Sequence, residues 1–320
     1  MKDTTTEPTR SQILASQLKQ YQSLPLNAKV TLSKKRIQEW LDHWEDQCYV
    51  AFSGGWDSTV LLHLVWSINP RIPAVFVDTG LEYPEIREFV KTFGDKVVWL
   101  KPKMPFTQVI EKYGYPVVSK KVSMGLSRFR NTKSELQKQL RLHGGINPSS
   151  GKKQHRSVDI KWHFLTNAPF KCSEQCCDVM KKRPFKAYNK ESGRKAIIGT
   201  MAVNSTIRKA QYIAEGCQSF NSSAPQSRPM SFWTEEDTCE YMELHNLPYS
   251  KIYDMGEDHS GCMFCMFGVH LEKGTNRFQR MYHSHPKQWN YCINQLGCGK
   301  VLDYIGVKYV PDEAQNNPRK

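Results

Sequence analysis

Tyr49-Val50-Ala51-Phe52-Ser53-Gly54-Gly55-Trp56-Asp57-Ser58-Thr59-Val60-Leu61-Leu62 is the stretch that decides the fold. A short apolar run ends in a Gly-Gly turn, and an amphipathic helix is expected to start with Asp57 or Ser58 near its first turn. Such a strand–turn–helix junction gathers unpaired backbone N–H groups and the positive end of a helix dipole around one point, which suits an anion. Ser53 and Ser58 add hydroxyl donors, and Gly54 and Gly55 let the backbone come close to a phosphate. An ordinary glycine-rich turn is the alternative reading.

Strand and helix alternate outward from this junction. Strands are expected at 48–52, 74–78 and 97–100, and helices at 57–68, 83–93 and 104–113. That βαβαβ order predicts an α/β fold, a parallel sheet flanked by helices with right-handed crossovers. Ligands of such sheets bind beyond the carboxyl ends of the strands, where both the 53–58 turn and Asp78 fall. The two are therefore expected to share one cleft. Residues 9–46 read as helical, with Ile37, Trp40, Leu41 and Trp44 at helical spacing. A basic helix is expected over 123–143, a loop over 144–158 and a strand over 195–199. Thr234-Glu235-Glu236-Asp237 reads as the capped start of a helix reaching about His245. Three parts follow: a helical segment over 1–45, a nucleotide-binding domain over 46–215 carrying the 144–158 insertion, and a C-terminal region over 216–320.

With 320 residues the chain can bury a substantial core. No apolar stretch approaches the ~20 residues of a membrane span, and the first residues carry no apolar export signal. A cytoplasmic location is expected, with the ten cysteines reduced and more suited to ligation than to disulfides. The formal charge is +14 and uneven. Residues 120–161 hold eleven Lys/Arg against Glu135 and Asp159, and residues 171–195 hold eight against Glu174, Asp178 and Glu191. A basic block over 120–195 is the footprint expected for a polyanion, whether a nucleotide's phosphates or a nucleic-acid acceptor. A solvated helix face reads equally well.

The Ser53–Ser58 motif resembles the PP-loop of the ATP pyrophosphatases, the adenine nucleotide α-hydrolase group. Pro73-Ala74-Val75-Phe76-Val77-Asp78-Thr79-Gly80, followed by Glu82-Tyr83-Pro84-Glu85, is similar to the Asp-Thr-Gly-x-x-x-Pro-Glu block of the phosphoadenylylsulfate (PAPS) reductase family. The resemblance runs over roughly residues 45 to 268. It implies a nucleotide site made of Ser53, Gly54, Gly55, Asp57, Ser58, Asp78, Thr79 and Gly80. Asp78 would orient a ribose or Mg²⁺, and Asp57 would hold Mg²⁺ or cap its helix.

Cys176-Cys177 and Cys262-Met263-Phe264-Cys265 have a ligand-like arrangement, with Cys172 as a substitute for one of the first pair. Thiolates select zinc, copper(I) or iron–sulfur clusters. Adjacent cysteines chelate one tetrahedral ion poorly, whereas a cubane takes one thiolate per iron, so the pattern favours [4Fe–4S] over zinc. The segment Cys176-Cys177-Asp178-Val179-Met180-Lys181-Lys182-Arg183-Pro184 is also similar to that of adenylylsulfate (APS) reductases, which hold such a cluster on a Cys-Cys pair and a distant Cys-x-x-Cys. Cys48, Cys217, Cys239 and Cys292 read as single buried thiols.

Gly199-Thr200-Met201-Ala202-Val203-Asn204-Ser205-Thr206-Ile207-Arg208 resembles the family's Gly-x-x-x-x-Glu-Ser-x-x-Arg block, with Asn204 where Glu is common. Arg208 is the candidate for bidentate pairing with a phosphate or sulfate, and Lys120 and Lys121 are candidate cations for the same pocket. Asp57, Lys120 and Arg208 are thus the expected catalytic set. The complete Ser-Gly-Gly-x-Asp-Ser loop implies ATP, with release of pyrophosphate and adenylation of an acceptor, and a transferase that delivers sulfur to a nucleotide or nucleic acid from a sulfur-donor protein. The alternative is an APS or PAPS reductase fed by a thioredoxin-type electron donor, with Cys298 as its nucleophile. Cys298 lacks the acidic neighbour and the following histidine of that family's terminal block. A third reading is a nucleic-acid-binding accessory protein with a structural metal.

Overall fold

Burial on both faces makes Cys48–Ala51 a central strand, since Cys48, Tyr49 and Val50 are all within 1 % of complete burial. The structure is a computed structural model, and it describes residues 9–257 and 260–312. Six strands form one sheet: β1 (Cys48–Ala51), β2 (Ala74–Val77), β3 (Val97–Leu100), β4 (Lys195–Ile198), β5 (Gln218–Ser219) and β6 (Gln226–Ser227), in the order β3-β2-β1-β4-β6-β5. Every neighbouring pair is parallel except β5 with β6. Val50 stands opposite Ala74, and Tyr49 opposite Ala196. The expected α/β architecture with a mostly parallel sheet is therefore what the chain forms.

One face of the sheet centres on Tyr49, Val75 and Ala196, against which Phe185 and Tyr188 pack. The Tyr188 ring meets Tyr49 edge-on at 5.2 Å. The helix Trp56–Trp66 differs from expectation. It is not amphipathic, because Ser58 to Leu62, Leu64 and Val65 are all buried. Helices Leu26–His43 and Glu235–Leu244 both pack on it, so it has apolar neighbours on every side, as a core helix does.

This sheet and its helices make up the first of two compact units, Met1–Val77, Pro84–Leu100 and Phe185–Ser260. The second comprises Asp78–Tyr83, Lys101–Pro184 and Gly261–Lys320. The chain passes between the two units after Val77, Tyr83, Leu100, Pro184 and Ser260, so each is built from three separate stretches. In the second unit, Val117–Val118 pairs in parallel with Met266–Phe267. The expected single helix over 123–143 is two, Lys120–Asn131 and Glu135–His143. Thr132 turns extended between them, and Ser134 caps the second by accepting from Gln137 N–H at 3.3 Å. The expected loop over 144–158 contains a small antiparallel hairpin, Gly145–Ile146 with Lys153–Gln154. No helix among the described residues is long and apolar enough to cross a membrane.

The capped start of Glu235–Leu244 is present as expected. Asp237 accepts from Thr234 N–H at 2.7 Å, and Thr234 Oγ1 accepts from Asp237 N–H at 3.3 Å. The same Asp237 oxygen accepts from the buried ammonium of Lys29 at 2.6 Å, so one carboxylate joins two helices. Asp237→Ala removes the acceptor of Thr234 N–H and leaves a buried lysine unpaired. It is expected to cost about 3–5 kcal/mol in urea unfolding. Glu236→Ala, at an exposed position without such a pairing, is expected to leave the urea midpoint close to that of the wild type.

Candidate functional site

The carboxyl end of β1 is where the strand order reverses, since β2 lies on one side of it and β4 on the other. Ser53-Gly54-Gly55 turns there into the helix Trp56–Trp66. Gly54 has φ +73°, and a Cβ on it would stand 2.9 Å from Val90 Cγ2, so both backbone and space require glycine. The Ser58 hydroxyl knits the turn together: its Oγ donates to Gly55 O at 2.9 Å, accepts from Ser53 N–H at 3.1 Å and lies 3.0 Å from Ser53 Oγ. Gly55 provides no side-chain cap, and the N–H groups of Ser53 and Gly55 are turned onto the hydroxyls of Ser58 and Ser53. Trp56 N–H is donated to the hydroxyl of Tyr253 at 3.3 Å, and the two rings lie 4.7 Å apart.

Asp57 sits in the first turn of that helix, and burial pushes its carboxyl up to about 6. Arg208 opposes this shift and Glu235 adds to it. Arg208 is exposed in the first turn of Thr206–Glu215, with Ser205 as its cap. It opens its helix, and its charge bears on Asp57. Asn204 has a local role, its Oδ1 accepting from Met201 N–H at 3.3 Å. A Cβ on Gly199 would stand 2.9 Å from Asp57 O, which explains the glycine that opens this block. Tyr253 and Glu235 are site residues that sequence reasoning missed. Glu235 shows only as a helix-start acid, and Tyr253 carries no motif.

The Asp78-Thr79-Gly80 turn belongs to the second unit. Gly80 N–H is donated to Asp78 Oδ1 at 3.2 Å. Thr79 is locked by Glu82, whose buried carboxylate accepts its N–H at 2.9 Å and its hydroxyl at 2.7 Å. Met263 N–H is donated to Leu81 O at 2.9 Å, which fastens the turn to the Cys262–Cys265 segment. Lys181 Nζ lies 3.8 Å from the Glu82 carboxylate and also hydrogen-bonds Cys262. Cys262 is the main reason its ammonium is held well above the ordinary lysine range. Glu82 and Lys181 were missed as well, although Lys181 stands one helical turn beyond Cys177 and so on its face.

Cys176 and Cys177 form a single turn that continues into a π-helical turn, Asp178–Lys182. Such turns are frequent at functional sites because they re-aim side chains. Cys177 is pulled down to about 6, first by the hydrogen bond from Cys176 and then by Lys120, Lys181 and Lys182, against the effect of burial. Cys176 is pushed up by that same hydrogen bond and by burial, with Cys262 and Cys265 adding to the shift. Burial pushes Cys265 up to about 11. The four expected thiols thus act on one another within one unit, and Lys120 bears on them. Among the described residues no three His, Cys, Asp or Glu side chains close to metal-binding geometry. By donor type and charge, one anionic thiolate among buried thiols with lysines around it, the set fits a soft thiolate-bound group.

Cys172 belongs to a different environment. It bridges Tyr115 in parallel, and burial pushes its thiol up to about 11 while Arg130 opposes that. Cys298 is completely buried, and its side chain hydrogen-bonds that of Cys292. His285 is buried beside the Tyr83 ring at 5.1 Å.

The profile of the phosphoadenosine phosphosulfate reductase domain matches residues 47–118 and 107–267. The adenosine 5′-phosphosulfate reductase of Bacillus mycoides strain KBAB4 is 24 % identical over 229 residues, 71 % of this chain and 76 % of that protein. Adenosine 5′-phosphosulfate reductase 2 of Bacillus subtilis strain 168 is 26 % identical over 221 residues, 67 % and 70 % of the two chains. Among solved structures, the PAPS reductase of Candida auris in a phosphate complex aligns with a TM-score of 0.42 at 16 % identity, over 75 % of this chain and 96 % of that one. With the matched residues running from β1 through the second cysteine pair, this chain belongs to the phosphoadenosine phosphosulfate reductase family of the PP-loop superfamily.

Proposed function

We propose that this protein is an ATP-dependent enzyme that releases pyrophosphate, adenylates an acceptor and takes part in sulfur transfer, with an iron–sulfur cluster on its four grouped cysteines. The observation that carries the reading is the intact Ser53–Ser58 turn at the start of a helix without a side-chain cap, with a carboxylate, Asp57, in its first turn. The N–H groups would bind the phosphates, Asp57 would hold Mg²⁺, and Arg208 would meet charge developing on the phosphoryl oxygens. Cys176, Cys177, Cys262 and Cys265 would hold the cluster, with Lys181 opposing the burial that pushes the Cys262 thiol up. When bound, a [4Fe–4S] group offers electron transfer or a binding site for sulfide.

A second reading, sulfonucleotide reduction, is favoured by the relatives, both named adenosine 5′-phosphosulfate reductase. It needs a thiol that reaches the substrate's sulfur. Cys298, completely buried against Cys292, does not meet that need as it stands. A turnover panel separates the two. Pyrophosphate formed from ATP supports adenylation. Sulfite formed from APS or PAPS with a thioredoxin-type donor, and lost in Cys298→Ser, supports reduction and overturns the first reading.

Asp57→Asn is expected to lower pyrophosphate release about a hundredfold, equivalent to roughly 2.7 kcal/mol of the barrier. The same change should raise the melting temperature of the ligand-free protein at pH 7.5. A carboxyl raised to about 6 in the native state binds its proton more tightly there than in the unfolded chain, so native stability falls as pH rises from about 4 to 6. The gain in the variant is therefore present above pH 6 and fades toward pH 4. An unchanged melting temperature at pH 7.5 would show that Asp57 carries no burial cost.

Anaerobic purification is expected to give iron and acid-labile sulfide in equal amounts. Both should be lost in Cys177→Ala and Cys262→Ala and kept in Cys292→Ala. Stoichiometric zinc without sulfide would replace the cluster with a structural metal.

A further inference from the structure

The second unit carries a basic arm whose charge is not consumed by the fold. Helices Lys120–Asn131 and Glu135–His143 pack together, and Ser157 N–H is donated to Arg141 O at 2.8 Å where the chain leaves the hairpin. The turn Ile160–Asn167 joins the same body, with the rings of His143 and His163 5.5 Å apart. Both acids of residues 120–161 are already engaged, Glu135 with Lys138 at 3.3 Å and Asp159 with Arg156 at 3.5 Å. Arg130 is used internally, its guanidinium donating to the carbonyls of Leu165, Thr166, Ala168 and Phe170.

That leaves Lys120, Lys121, Arg128, Lys133, Arg141, Lys152, Lys153 and Lys161, none of which has a carboxylate at ion-pair distance among the described residues. Arg141 is the most informative of them. Its Nε is buried without a hydrogen-bond partner, and the charge acting on it is the guanidinium of Arg128. Burial first, and that like charge second, hold its guanidinium below the ordinary arginine range, a cost that an incoming phosphate would relieve. The same arm exposes large apolar side chains, with Ile146 67 % exposed, Ile160 66 % and Phe164 43 %. Charge alone would suit any polyanion. Charge interleaved with exposed aromatic and aliphatic faces suits a strand whose bases are free to stack.

We propose that the arm formed by residues 120–164 is a binding surface for single-stranded nucleic acid. The arginine pair and the lysines of the hairpin take phosphates, and Phe164 takes the face of a base. The inference rests on the adenylation reading only in naming the chemical class of the acceptor, since binding requires no turnover.

The test is fluorescence anisotropy of the full chain with labelled oligonucleotides of DNA and RNA, single-stranded and duplex, over a salt series. The wild type is expected to bind single strands more tightly than duplex. Lys152→Ala/Lys153→Ala/Lys161→Ala should weaken binding at least tenfold at moderate salt and flatten the salt slope by about 2, the value for three lost phosphate contacts on a single strand. Phe164→Ala should weaken single-strand binding with the salt slope unchanged. The lysine variant changes exposed side chains and should keep the wild-type melting temperature and basal pyrophosphate release; Phe164→Ala also loses ring contacts with Trp162 and Tyr304, and unchanged basal pyrophosphate release shows that it is folded. Asp57→Asn should bind as the wild type does, which separates failure of the reaction from failure of the surface. Equal affinity in the triple variant overturns the proposal. So does competition by polyglutamate as effective as that by oligonucleotide, which would make the arm a surface for acidic proteins.

Discussion

Parallel pairing of β1 on both edges is the constraint on which the nucleotide site depends. With β2 on one side and β4 on the other, the chain leaving β1 has no neighbouring crossover above it, and the Ser53–Gly55 turn occupies the space that this reversal opens. The helix that follows is buried along most of its surface, so its N-terminus cannot shift to suit a ligand. A helix start held in place confines the reorganisation on phosphate arrival to the bond between Trp56 N–H and the Tyr253 hydroxyl. The glycines follow from the same constraint, because Gly54 and Gly199 both lie where a Cβ would press on a neighbour at 2.9 Å.

In the second unit the organising element is a set of charges around thiols. Lys181 ties together three parts of the sequence: its own π-helical turn next to Cys177, the Cys262 segment, and Glu82 of the Asp-Thr-Gly turn. Glu82 in turn fixes the backbone and hydroxyl of Thr79. A thiolate in a buried place is expensive, and the lysines lower that cost without adding a redox-active group.

The features legible in the sequence were those with local signatures. The strand–turn–helix junction, the capping box at Thr234 and the two cysteine pairs were each written in a few adjacent residues. The burial of the helix Trp56–Trp66 was misread, because its polar Ser58 and Thr59 mimic a solvent face while their hydroxyls bond back to Gly55 O. The break between the two basic helices was missed because Asn131-Thr132-Lys133-Ser134 contains neither Gly nor Pro. Tyr253 could not be assigned from local pattern, since what matters about it is a partner brought near by the fold, and the same holds for the pairing of Glu82 with Lys181. The two units likewise interleave in sequence, and composition carries no trace of that.

Family membership and reaction are separate questions for this chain. The family profile covers the nucleotide loop and both cysteine pairs, but a reductase also needs an accessible nucleophile. Cys298 begins its helix in the core, in contact with Cys292, and Tyr115 donates its hydroxyl to Leu296 O at 2.7 Å just before it. A Cβ on Gly297 would stand 3.1 Å from that same hydroxyl, so the turn preceding Cys298 is closely packed. Exposing this thiol would break a buried hydrogen bond and open an apolar core, whereas a phosphate at the turn would have to draw Trp56 N–H away from the Tyr253 hydroxyl. The two chemistries therefore ask for different rearrangements, one of a packed core and one of a single hydrogen bond.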